Sequence, residues 1–145
     1  MANAFLPVSG ATALSGNANS AASLSFTSLG VIDFGSAPPH ECLVEVMIQA
    51  SSAPGGNKQA LVFVRSSLDG TNFSDAPSTA TTRQSFNIGM VDLPDTNARR
   101  SGAMSVARVF NGALPRKIEV FVYNDCGVAF AATSQTGQYI NETFG

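Results

Sequence analysis

Leu61-Val62-Phe63-Val64-Arg65-Ser66-Ser67-Leu68-Asp69-Gly70-Thr71-Asn72-Phe73 decides the class of fold. Its apolar run, rich in β-branched and aromatic residues, reads as a strand. Asp69-Gly70 reads as a tight turn, because glycine takes a positive φ at no steric cost and Asp-Gly after an apolar run is a strong hairpin signal. Thr71 onward reads as the start of a return strand. The stretch predicts an antiparallel β protein, which leaves little room for helix-borne or phosphate-loop chemistry.

The flanking sequence repeats the pattern. Leu24 to Phe34 is an apolar run interrupted at Gly30, and Ala37-Pro38-Pro39-His40 breaks the chain because proline removes a ladder donor. From Leu43 to Ala50, Val44, Val46, Ile48 and Ala50 face one way, with Glu45 and Gln49 on the other side, the period-2 signature of a half-buried strand. Ser85 to Leu93 reads as a strand with Phe86, Ile88 and Met90 in phase. Ala103 to Phe110 alternates with Met104, Val106 and Phe110 in phase and Arg108 as the exception. In Arg116 to Asn124, Ile118, Val120 and Val122 oppose Lys117 and Glu119. Asp125-Cys126-Gly127 reads as a tight hairpin leading to strands at Val128–Thr133 and Gln138–Phe144, separated at Thr136-Gly137. About eight strands at this spacing predict an all-β fold, an antiparallel β-sandwich with a jelly-roll or Greek-key path.

Composition narrows the class further. The chain has 145 residues, which suggests one domain, and only 12% are charged, against about 25% in an ordinary soluble domain. The formal net charge of −2 carries no basic footprint, which argues against nucleic acid or an anionic membrane as partner. No apolar run approaches the roughly 18 residues of a membrane span. The polar surface must therefore be built from Ser, Thr, Asn, Gln and Gly, as in a subunit that resides in an assembly, since interface cores are depleted of charge. Residues 1–22, dominated by Ala, Asn, Ser and Gly, read as an N-terminal arm that is flexible or ordered by a neighbouring subunit, with Phe5, Leu6 and Val8 as its anchors; 23–145 would be the single β-sandwich domain. Met1 to Pro7 shows neither a basic n-region nor a long apolar h-region, so no signal peptide is expected and synthesis in a cytoplasm is.

The inventory for catalysis is thin. His40 is the single histidine, two residues from Cys42, so an extended backbone would place both on one face. No third orienting group accompanies them and no Gly-x-Ser-x-Gly elbow is present, so no enzyme is expected. Two Cys and one His fall short of a zinc set. Asp69, Asn72 and Asp75, and likewise Asp92, Asp95 and Asn97, lack the EF-hand rhythm and read as turn residues that bond their own backbone. No metal or cofactor is expected. Cys42 and Cys126 each adjoin an apolar run and read as buried thiols, with a single bridge as the alternative. Arg99-Arg100 lies in a polar loop and suits a partner's carboxylates. Phe73 and Tyr139, if exposed, would suit stacking on sugar.

Two stretches also resemble a known group. Val64-Arg65-Ser66-Ser67-Leu68-Asp69-Gly70-Thr71-Asn72-Phe73 and Leu114-Pro115-Arg116-Lys117-Ile118-Glu119-Val120-Phe121-Val122-Tyr123-Asn124-Asp125-Cys126-Gly127 resemble small β-sandwich virion proteins of tailed bacteriophages. There a strand ending in S-x-D-G-x-N-[FW] recurs, as does L-P-[RK] entering a strand that closes on Asn and a Gly turn. The resemblance covers about residues 60–135. It implies a structural role in the virion, as a capsid cement or decoration protein. Capsid or other virion proteins would be the partners, and a homo-oligomer such as a trimer the working state. The arm anchors Phe5, Leu6 and Val8, with Thr71, Phe73, Arg99 and Arg100, are the expected contact residues. The alternative expectation is a carbohydrate-binding or fibre module for attachment to a host surface.

Overall fold

Period-2 burial runs through Glu41–Ile48 and most of Gln59–Ser67 in the computed structural model, which describes residues 5–7, 10–78 and 85–144. In chain order the strands are β1 (Phe5–Pro7), β2 (Thr12–Ala13), β3 (Phe26–Asp33), β4 (Glu41–Ile48), β5 (Gln59–Ser67), β6 (Phe86–Asp92), β7 (Arg99–Arg100), β8 (Met104–Ser105), β9 (Lys117–Asp125) and β10 (Thr136–Phe144). They form two antiparallel sheets packed face to face. One runs β3-β9-β5-β6; the other has β10 and β4 at its centre, with β1 and β2 along the free side of β10 and β7 and β8 along the free side of β4. Of the strand pairs only β5 and β6 are consecutive; the chain changes sheets between β2 and β3, β3 and β4, β4 and β5, β6 and β7, β8 and β9, and β9 and β10. This is the crossing path of a sandwich, not a meander.

The inward residues of each strand make the core. Leu29 and Ile32 of β3, Val44, Val46 and Ile48 of β4, Val62 and Val64 of β5, and Ile118, Val120 and Val122 of β9 have no exposed surface. Cys42 and Cys126 lie in this core as free thiols.

The part of the expected arm that lies among the described residues belongs to the body of the same chain. Residues 12–13 pair with Tyr139 and Gln138 of β10, and Leu14 continues that ladder by donating to the Gly137 carbonyl at 2.9 Å. Gly16 N–H then donates to Leu29 of β3 at 2.8 Å, in the opposite sheet. Ala18 and Ser20 donate to Gln135 and Ala131. The chain thus stitches the two sheets together along the side where β10 and β3 would otherwise end. Two buried amides fix the stitch. Gln135 accepts from Gln49 N–H through Oε1 at 2.6 Å, gives Nε2–H to the Thr133 carbonyl, and has its own N–H on Asn19 Oδ1. Asn124 donates through Nδ2 to the carbonyls of Ala21 and Val128. Leu14 and Ala18 are buried, so the Ala- and Ser-rich composition hides two core residues. Close packing at the seam also explains Gly30: it sits at φ +125°, and a Cβ there would meet Ser15 Oγ at 2.7 Å.

Four expectations change. Thr71 does not begin a return strand: the chain comes back for one rung, Ser74 N–H to the Ser66 carbonyl at 3.0 Å, and β5 next pairs with β6. Ala103–Phe110 is only briefly a strand; after β8 it closes into a 3-10 turn at Ala107–Phe110, from which Arg108 Nη2 donates to the Ile88 carbonyl on β6. Phe86, Ile88 and Met90 are not in phase, because a bulge shifts the β5–β6 register between Val62 and Phe63; Ile88 and Val91 are buried while Phe86 and Met90 are exposed. Val128–Thr133 is no strand beyond the single bridge of Phe130 to Ala50, whose bonds run to Gln49 and Ser51, because its other backbone groups serve Ala21 and Ser20; β10 starts at Thr136 through the expected separator.

If the seam is core structure, Leu14→Ala lowers the unfolding free energy in urea by about 2–5 kcal/mol, the usual cost of a buried leucine. A change under about 0.5 kcal/mol, typical of a surface site, would show the segment to be an appendage.

Candidate functional site

The outward face of the β3-β9-β5-β6 sheet is where the strand pattern departs from hydrophobic-in, polar-out. Cross-strand register places Phe26, Tyr123, Leu61 and Met90 side by side, one from each strand. The next rung holds Ser28, Phe121, Phe63 and Asn87. An apolar band thus crosses the whole sheet on the side away from the core. Its rings touch one another: Phe26 and Tyr123 lie 4.5 Å apart between centroids, and Phe26 meets Phe63 edge-on at 5.5 Å. Val31, in the Glu119 rung of the β3 edge, is exposed, as is Met90 in the band at the opposite edge.

Charge borders the band on both sides. Toward one end of the strands Arg65 bonds Glu119 Oε2 through Nε at 2.6 Å and through Nη2 at 2.5 Å. Its guanidinium lies 4.9 Å from the Phe73 ring centroid and 5.6 Å from that of Phe121, and Nη1 donates to the Ser74 carbonyl. Beyond it Asp33 lies 3.6 Å from Lys117 and 3.8 Å from Arg116. Toward the other end, Gln59 separates Asp92 from Asp125 in one rung, and Asp125 accepts from Asn57 and Gln59.

The expected contact residues do not converge on one place. Phe73 is half-buried beside the band, under the Arg65 guanidinium, so that cation already covers its ring. Thr71 is exposed in the turn, its N–H bonded to Asp69. Arg99 and Arg100 form β7 on the other sheet, beside Ile48 and Met47 of β4, and each has a carboxylate of its own chain: Asp95 at 2.6 Å and Glu45 at 2.7 Å. Phe5 and Leu6 lie on β1, paired with Phe144 and Thr143 of β10; Val8 falls outside the described residues. Tyr139 packs against the core. Sequence reasoning missed the band itself, although a signal was present. Leu61-Val62-Phe63-Val64 and Val120-Phe121-Val122-Tyr123 are apolar on both faces, whereas a strand with one solvated face alternates.

The groups considered for chemistry have local duties. Cys42 is fully buried, and burial together with the neighbouring Glu41 carboxylate pushes its thiol up to about 12, so it is not a thiolate nucleophile. Asp69 Oδ1 accepts from the N–H groups of Asn72 and Thr71 and from Ser67 Oγ, while Oδ2 takes Asn72 Nδ2. These bonds hold its carboxyl well below the usual carboxylate range, the Asn72 and Thr71 N–H groups contributing most. The described residues contain no group of three or more His, Cys, Asp or Glu placed to hold a metal. A cleft of about 210 Å³ beside Glu45, Arg100 and Gln138 is smaller than the roughly 300–1,000 Å³ of small-molecule sites. No known protein family, curated protein or solved structure matches the chain.

Asp69 gives a pH test. Its folded pKa lies below the unfolded value of about 3.9, so its contribution is complete above that pH and is lost as the pH falls toward the folded value. The Tm difference between the wild type and Asp69→Ala is therefore widest above about pH 4 and narrows on further acidification; a gap independent of pH would rule out the carboxylate as the turn's anchor.

Proposed function

We propose that the chain is a non-enzymatic structural subunit that docks on an assembled shell through the outward face of the β3-β9-β5-β6 sheet. The carrying observation is the apolar band across all four strands, on a protein with only 12% charged residues. A sheet face with Phe, Tyr, Leu and Met in one row is costly to leave in water, and contiguous apolar surface of this kind marks protein–protein contact. The likeness of the Asp69-Gly70 and Leu114-Pro115 stretches to virion proteins of tailed phages supports a capsid as that shell and a cement or decoration role as the task.

The mechanism needs no chemistry. A subunit that binds assembled capsomers and not free ones stabilises the shell by mass action. Many copies on a symmetric lattice would turn individually modest contacts into firm attachment through avidity.

Purified chain mixed with capsids that lack it would co-sediment with them. Leu61→Lys, made at a half-buried position of the band, would weaken that binding at least about tenfold, as loss of an interface anchor does. Folded protein left entirely in the supernatant would overturn the reading.

A further inference from the structure

We infer that the same sheet face also binds a second copy of this chain, face to face, about a two-fold axis running along the apolar band; the inference rests on the reading of that face as a docking surface. Sheets pack well against sheets, about 10 Å apart with side chains interdigitating, and the band runs across all four strands where such a partner would lie.

The charges select the orientation. On one side of the band lie Arg65, Lys117 and Arg116 with Glu119 and Asp33, three cations against two carboxylates. The rung on the other side holds Asp92 and Asp125 and no cation. A two-fold axis along the band lays each band on its counterpart. It also brings the cation-rich side of one copy over the acidic side of the other, twice. Such an interface is isologous, and the dimer closes on itself. An axis perpendicular to the band and lying in the interface would instead set acidic row against acidic row, which like-charge repulsion disfavours.

Size sets the strength. Four strands about 4.8 Å apart and about 27 Å long offer roughly 500 Å² per copy. This is below the roughly 800 Å² per partner of a standard interface, so the dimer is weak and forms with rising concentration. The dimer and a shell would compete for this one face, so the dimer is a form of the chain off the shell.

Sedimentation equilibrium of the full chain from about 1 µM to about 1 mM tests this. The expected result is a reversible monomer–dimer equilibrium. Met90→Glu, at an exposed position of the band, should raise the dissociation constant at least about tenfold. Asp92→Lys should weaken the dimer by a factor that shrinks as salt is added. Circular dichroism would confirm that both variants are folded. A monomer at every concentration, or a dimer indifferent to Met90→Glu, overturns the inference. Repeating the capsid co-sedimentation at a concentration where the chain is monomeric separates the two readings. A monomer that never dimerises yet binds capsids ends this inference and leaves the docking role; a Met90-dependent dimer that ignores capsids upholds the inference and ends the capsid role.

Discussion

The alternating N–H groups of Leu14, Gly16, Ala18 and Ser20 are the constraint on which the sandwich depends. They donate to Gly137, Leu29, Gln135 and Ala131, and so reach both sheets within seven residues. Without them the backbone groups of β10 and β3 on that side would need water or another chain, and an unpaired sheet edge is a template for unwanted pairing. The buried amides Gln135 and Asn124 then become necessary, because the chain turns at each crossing and leaves backbone groups that no ladder can serve. Gly30 and Gly137 follow from the same closeness: a Cβ at Gly137 would meet Leu14 Cδ1 at 2.6 Å.

With one side of the molecule sealed in this way, its remaining apolar surface is gathered elsewhere. The outward face of the β3-β9-β5-β6 sheet carries rings and aliphatic side chains in register, while the outward face of the other sheet carries Glu45, Arg100 and Gln138 in mutual hydrogen bonds. The second face is mixed, since Leu43 and Ile140 share a rung beside these polar groups, whereas the first carries its rings in one band. The ion pairs border the band or lie on the other sheet, while Asp69 and Arg108 serve a turn and the β6 edge.

The alternation in Leu43–Ala50 and Arg116–Asn124 made β4 and β9 legible, because each carries one clean buried face. Gly30 was equally informative, since a glycine in an apolar run signals a bulge or a close approach, and it provides both. The N-terminal stitch was opaque because its bonds are made by backbone, and Ala, Ser and Asn say little about where backbone groups go. Val128–Thr133 misled for the same reason: β-branched and aromatic residues favour a strand, yet beyond one bridge its backbone partners belonged to Ala21 and Ser20. Arg108 was the visible warning in Ala103–Phe110, a long cation out of phase, and it proves to be the residue that reaches across to β6. The band went unread because outward Phe and Leu look like core filling until the register shows which way they point.

The β6 edge has a consequence for how the chain can multiply. Its bulge distorts the strand, and Arg108 occupies the carbonyl of Ile88, so a new strand cannot add there without displacing a guanidinium. Growth through strand addition is open-ended, each copy exposing a fresh edge for the next. With β6 guarded, that open-ended route is closed at this edge. A sparsely charged sheet, short of gatekeeping side chains, thus protects this edge by backbone geometry and one borrowed cation.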